Sequence, residues 1–369
     1  MNRVQFFLFY TFYTVALFYL ASVLPIGPNE AKLYYGDEVI LYELTHLVEG
    51  WFTTGLAFRL PFILFGLINV VLFYFMSKSY FKSEKDSYLA TTIFALLPGV
   101  ITSSVLVNIG VIVVTLVLLF LIVYERKNLY LEIIIMVLLL LVHDASIIFF
   151  IAIALYSALQ KDRALLIASI ILAVASLFIS NGLKIEGRPS GEFMELFGLY
   201  MALFSPFVFI YFFYALYRIW LREEKDILWY ISFTAFALSI LLSLRQQVIM
   251  TDFAPYVIVA VVLMILVYHR TVEVRLPQFQ KPYRLGFNFV IGSLILSALV
   301  ILFHYSLFLL LEDKSKNFTY PFYRAYWQVQ ELKEIGQNCY TASNPKVQYQ
   351  LKYYGIEECQ DLDVPKIHK

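Results

Sequence analysis

The stretch FRLPFILFGLINVVLFYFMSKSYF (58–81) carries one cation near its head, then no charge from Leu60 to Ser77, then a lysine at 78. A helix needs roughly 20 apolar residues to cross the hydrocarbon core of a bilayer. Backbone polar groups have no water to bind there, so an uncharged run of this length has to be helical. Working outward, similar runs fall at about 4–24, 56–77, 87–106, 109–124, 129–143, 145–159, 164–180, 199–220, 227–243, 254–268 and 286–310. The whole chain of 369 residues is 61% hydrophobic and 18% aromatic, with only 15% charged residues, which is outside the composition of soluble domains. The expected fold is an all-α polytopic membrane protein of about eleven transmembrane helices.

Lys and Arg set the orientation, because cytoplasmic segments next to spans collect them. With the N-terminus inside, the inner segments hold fifteen, among them Lys78, Lys82, Arg126, Lys127, Arg222 and Arg270, against five outside: Lys32, Arg59, Lys184, Arg188 and Arg245. The first run lacks the short basic-then-apolar pattern and cleavage site of a secretory signal, and reads as a retained anchor. A net charge of +1, without basic tracts interleaved with aromatics, gives no nucleic-acid footprint. The short inner loops leave no room for a nucleotide-binding domain.

Two regions interrupt the apolar pattern. Residues 1–310 read as the membrane domain, with an external loop (25–55), and residues 311–369 read as a small extracytoplasmic α/β domain. In that tail, YPFYRAYWQVQELKEIG (320–336) and NPKVQYQLKYYG (344–355) predict helices, each ended by Gly. NCYTAS (338–343) and the segment near Cys359 predict strands. Both cysteines, Cys339 and Cys359, lie there, and in an oxidising compartment they are candidates for a disulfide; two unrelated thiols are the alternative. The sequon NFT (317–319) matters only in a glycosylating lumen.

The external loop PIGPNEAKLYYGDEVILYELTHLVEGW (25–51) holds five carboxylates. Pro28-Asn29 starts a helix, Gly36 stops it and Asp37 starts another, so two short helices are expected. In the second, Ile40, Leu44, Leu47, Val48 and Trp51 share a face, the pattern of a helix lying in the membrane interface. Asp37, Glu38, Glu43 and Glu49 read as solvated. Glu30 differs, standing in the first turn beside the end of the first span, where a carboxylate can face a cavity.

Further polar groups fall at the same outer ends of the spans: Arg59, Asn108, His143 with Asp144, Lys184 and Arg188, and Arg245 with Asp252. Ionisable groups at such places are either paired or functional. Cations converging on one side suit a phosphate headgroup, because the Arg fork matches its oxygens. Each has a plainer reading: Arg59 snorkels, Arg245 pairs with Asp252, His143 caps Asp144. A divalent metal would need Glu30, His143 and Asp144 to converge, and their spacing matches no metal motif. No Ser-His-Asp or Cys-His arrangement is supported.

The first loop with Glu30, Tyr34 and Tyr35, then the 58–81 stretch, then third and fourth spans joined tightly at Asn108, resembles the GT-C membrane glycosyltransferases, in particular the protein O-mannosyltransferase and aminoarabinose transferase branch. The tail pattern YTASNPKVQYQLKYYG (340–355) is similar to the small domain that ends many of them. The likeness covers residues 1–160 and, more loosely, the tail. It implies a GT-C-like fold and transfer of a sugar from a polyprenyl phosphate on the outer leaflet to a glycan, lipid or protein acceptor, with no nucleotide. Glu30 matches the Glu of the family's Asp-Glu pair, Asn29 stands where the Asp is expected, and Asn108 stands where an Asp is common.

Such chemistry needs a base for the acceptor hydroxyl and positive charge for the departing phosphate. Glu30 is the first candidate base and Asp144 the second. Arg59, Arg188 and Arg245 are phosphate candidates, followed by Lys184 and His143. The implied location is a bacterial inner membrane, N-terminus cytoplasmic and C-terminus periplasmic. A GT-C-like scaffold that binds a lipid-linked glycan without catalysis, suggested by the two Asn, and a transporter are the competing readings. No half-repeat of the transporter kind is apparent.

Overall fold

The computed structural model describes residues 2–36, 38–48, 55–179 and 193–359. Its helices run α1 Arg3–Val23, α2 Pro28–Tyr34, α3 Val39–His46, α4 Leu56–Ser77, α5 Glu84–Leu96, α6 Pro98–Val105, α7 Gly110–Glu125, α8 Leu129–Val142, α9 Ile147–Gln160, α10 Arg163–Ile179, α11 Phe193–Phe204, α12 Pro206–Arg222, α13 Ile227–Ser243, α14 Met250–Ile258, α15 Val261–Val274, α16 Pro277–Leu302, α17 Leu307–Leu310, α18 Tyr320–Glu334 and α19 Pro345–Tyr353. The protein is a helical, polytopic membrane protein. Among the described residues, four helices are long and apolar enough to cross a membrane: α1, α4, the continuous stretch Met250–Val274, and α16. Two bent pairs raise this to six, and five further apolar helices are shorter.

Both bends fall before a proline inside a run expected to be one span. Leu97 is extended (φ −59°, ψ 131°) and turns the chain by 62° between α5 and α6. Ser205 takes a left-handed φ of 77°, and α11 and α12 meet at 105°. The cause is local: a proline clashes with a helical residue before it and cannot donate to the preceding turn.

The chain divides into two compact units. The larger comprises Met1–Thr14, Leu64–Ser104 and Ile109–Leu299. Its core is aromatic and aliphatic: Phe73 stacks on Phe94 at 4.1 Å, and Phe120 meets Phe149 edge-on at 5.0 Å. The segment from Tyr256 to Ile265 is buried throughout, so this is the central helix of the unit and is apolar on every side. Asn69 donates to the Val111 carbonyl and accepts from Thr115, a satisfied polar contact between α4 and α7. Gly66 lets α4 approach α6 closely, since a Cβ there would lie 2.2 Å from Ser104 Oγ.

The smaller unit comprises Val15–Ile63, Val105–Asn108 and Val300–Lys369. It joins the end of α1, the first loop and the start of α4 to the C-terminal tail. The two helices expected in the first loop are α2 and α3; the break at Asp37 and the positions of Glu49 and Trp51 lie outside the described residues. Leu41, Thr45 and Val48 form the face of α3 turned into the protein, while Ile40 and Leu47 stay exposed. In the tail, α18 and α19 occupy the expected helical stretches, with Gly336 and Gly355 at positive φ just beyond them.

The expected tail strands are not formed among the described residues. The two extended segments touch only at a parallel bridge between Cys339 and Glu357, where Tyr340 N donates to Glu357 O and Glu357 N donates to Asn338 O. A Cys339–Cys359 disulfide closes the same loop. The sequon Asn317 is buried; its amide donates to His304 O and accepts from Thr319.

Candidate functional site

Glu30 is the third residue of α2, and its carboxylate reaches back to accept from Gly27 N at 2.8 Å, half of a capping arrangement. Arg59, in the first turn of α4, lies against the same carboxylate: Nε donates to Oε1 at 2.9 Å and one terminal nitrogen to Oε2 at 2.5 Å. The remaining guanidinium donors go to Ala21 O, Leu24 O and Pro25 O. Arg59 thereby caps the carbonyls that the end of α1 leaves open, where a cation also suits the helix dipole. Val107 N donates to Glu30 Oε1 as a fourth bond. Arg59 is 0% exposed and Glu30 3%.

This geometry pairs the first candidate base with a candidate phosphate ligand. All five N–H groups of an Arg are occupied here, so no donor is left for a phosphate. The Glu30 carboxylate accepts four bonds. The pair ties the end of α1, the start of α2 and the head of α4 into one knot.

The tail closes over that knot within the same unit. Gln350 donates to Ile26 O at 2.7 Å, and the Tyr354 hydroxyl accepts from Ile26 N at 3.2 Å. Gly27 sits beneath Phe322, which a Cβ would approach to 2.5 Å. Asn29 is held by Lys346 Nζ at 2.8 Å. Tyr34 stacks on His46 and meets Tyr35, Phe58 and Tyr353 edge-on, while Tyr35 stacks on Tyr349 and lies under Lys352 Nζ. Burial, with neighbouring Tyr354 second, pushes the Tyr353 phenol up to about 12. Asn108 is half-buried and donates to Leu106 O.

The second cluster lies wholly in the larger unit. His143, 4% exposed, occupies the extended residue between α8 and the turn 144–146, and its Nδ1 lies 2.8 Å from the Tyr256 hydroxyl. Its Nε2 is 3.9 Å from Asp252 Oδ1. Asp144 is exposed and within electrostatic range of Asp252. His143 is thus a buried partner of Tyr256. Arg245 is exposed in the turn after α13, and the ionic neighbour of Asp252 is His143. Lys184 and Arg188 lie outside the described residues. No group of three metal-ligating side chains forms among the described residues.

The sequence pointed to Glu30, Arg59 and His143 but missed Asp252 and Tyr256 as a pair. The available signal was their spacing of four, which puts both on one face of a helix.

No protein-family model matches the chain, and no curated protein matches it. Among solved structures it is similar to that of ArnT from Cupriavidus metallidurans in the apo state, with a TM-score of 0.57 and 11% identity, over 95% of this chain and 85% of that one. At that identity the likeness speaks for fold alone: the helical membrane fold of this chain is similar to that of ArnT.

Proposed function

We propose that the protein is a membrane glycosyltransferase that moves a sugar from a polyprenyl-phosphate donor to an acceptor hydroxyl on the outer face of a bacterial inner membrane, with its N-terminus in the cytoplasm. The observation that carries this reading is the similarity in fold to ArnT over 95% of the chain. Fold does not imply function by itself. The first loop adds support, because four of its polar contacts converge on Glu30 and Arg59 and fix the loop where the family likeness puts its working residues.

In this reading Glu30 and Arg59 position the loop. Asp144 stays a candidate proton acceptor, and Arg245, Lys184 and Arg188 are the cations that remain for the donor phosphate. Water exclusion and oriented charge lower the barrier as the phosphate oxygen takes up the electron pair of the breaking bond. The test is sugar transfer by the purified protein from a mixture of polyprenyl-phosphate sugars to a panel of glycan, lipid and peptide acceptors. Turnover above the no-enzyme rate is expected. Retention of lipid-linked sugar without turnover supports a second reading, a non-catalytic scaffold, which the Asn at 29 and the saturated Glu30 carboxylate favour. Solute flux into sealed vesicles without transfer would refute both.

A further inference from the structure

Asp252 and Tyr256 stand one turn apart on α14, both toward the break between α8 and α9. That break puts His143 in an extended conformation (φ −133°, ψ 117°), which turns the imidazole into the protein and not along a helix face. The Tyr256 side chain is fully buried, and its hydroxyl lies 2.8 Å from His143 Nδ1. A phenol is the stronger donor of the two, so Nδ1 accepts and the imidazole proton resides on Nε2.

Nε2 is buried and has no hydrogen-bond partner among the described residues. An unsatisfied buried N–H costs about 1–3 kcal/mol, and such atoms are rare unless something fills the place. It points at Asp252 Oδ1 across 3.9 Å, too far for a hydrogen bond. One oxygen bonded to both, at ordinary lengths of about 2.9 Å to nitrogen and about 2.7 Å to oxygen, would make the two bonds meet at roughly a right angle. The Asp252 side chain keeps 27% of its surface exposed, against 4% for His143. Asp252 also has the Thr251 hydroxyl beside it and the Asp144 carboxylate within electrostatic range.

A donor facing an acceptor across one oxygen matches a hydroxyl group, which accepts from Nε2–H and donates to the carboxylate. We infer that the His143–Asp252 gap binds a substrate hydroxyl and that Asp252 is the base that deprotonates it. The inference rests on the transferase reading above. The hydroxyl oxygen bonds to the anomeric carbon, its proton passes to Asp252, the bond from that carbon to the phosphate oxygen breaks, and polyprenyl phosphate leaves with the electron pair. Tyr256 is a positioning residue, holding the imidazole with Nε2 toward the gap.

The experiment uses the full chain in detergent with polyprenyl-phosphate sugars as donors. Asp252→Asn keeps the side-chain shape and removes a charge near Asp144. It is expected to keep its melting temperature within about 2 °C, keep donor KM within about threefold, and lose kcat by about 100-fold or more, the scale of a general base. Tyr256→Phe is expected to lose about tenfold, so it tests the site independently should Asp252→Asn not accumulate as folded protein. Wild-type transfer with Asp252→Asn within threefold of it would overturn this inference and leave the transferase reading standing. If the wild type transfers nothing, that reading fails, and binding of free pentoses and hexoses is followed by saturation-transfer NMR. A sugar signal seen with the wild type and abolished by Asp252→Asn then supports the hydroxyl site; an equal signal with both proteins, or none with either, overturns it.

Discussion

Arg59→Met removes the charge from the centre of the first-loop knot while roughly keeping the volume of the side chain. It leaves the Glu30 carboxylate with only Gly27 N and Val107 N, and it strips the Ala21, Leu24 and Pro25 carbonyls of their donor. Breaking one side of a buried ion pair costs about 3–5 kcal/mol, because the surviving charge stays out of water. With about 4 kcal/mol as the centre, and roughly 2–4 °C per kcal/mol for a large domain, the melting temperature should fall by about 8–16 °C. The assay is thermal unfolding in detergent, with proteolysis of the tail as a second readout, since the tail docks on Ile26 beside the knot. Glu30→Gln should cost a similar amount. The double variant should cost less than the sum by about 2 kcal/mol, because no charge is then left unpaired. A fall below about 2 °C for Arg59→Met, or strict additivity in the double variant, would refute the claim that the pair is a structural knot.

Three further outcomes are expected. Replacing Cys339 and Cys359 by Ser should lower tail stability by about 3 kcal/mol through the loop entropy of the unfolded chain, seen as faster protease cleavage after Gly336 with the membrane helices intact. Gly27→Ala should cost about 1–3 kcal/mol by overpacking against Phe322, and Phe322→Leu should restore most of it; no rescue would mean that the contact is not the cause. Burial holds Tyr353 neutral above its usual value of 10, so its contribution is complete below pH 10 and is lost as pH rises toward about 12. Tyr353→Phe should flatten the loss of tail protection from protease over that window.

The helices were legible because hydrocarbon leaves a chain few choices: an uncharged run has to close its own hydrogen bonds, and the runs of this sequence are helical. The breaks were present too, in LLPG (96–99) and FSPF (204–207), but averaging hydropathy over a window hides a single proline inside an apolar run. Tail strands failed to form for a different reason. Alternation in NCYTAS reports the preference of an isolated segment, whereas a ladder needs a partner of matching length, and among the described residues beyond Gly355 one residue bridges to it.

At the two polar clusters the sequence marked charged residues without showing their partners. Glu30 looked like a free acid because its neighbours in sequence cannot neutralise it, and its partner is 29 residues away, aided by backbone carbonyls that carry no sequence signature. Asp252 looked paired with nearby Arg245, when the group facing it is His143, brought across from the α8–α9 break. The same physical rule decides both cases in opposite directions. A buried charge persists only when its partners are complete, and Glu30 with Arg59 meets that condition within the protein. At His143 and Asp252 the condition is short by one oxygen, so there, and not at the saturated first-loop pair, the fold keeps a place that a substrate hydroxyl can complete.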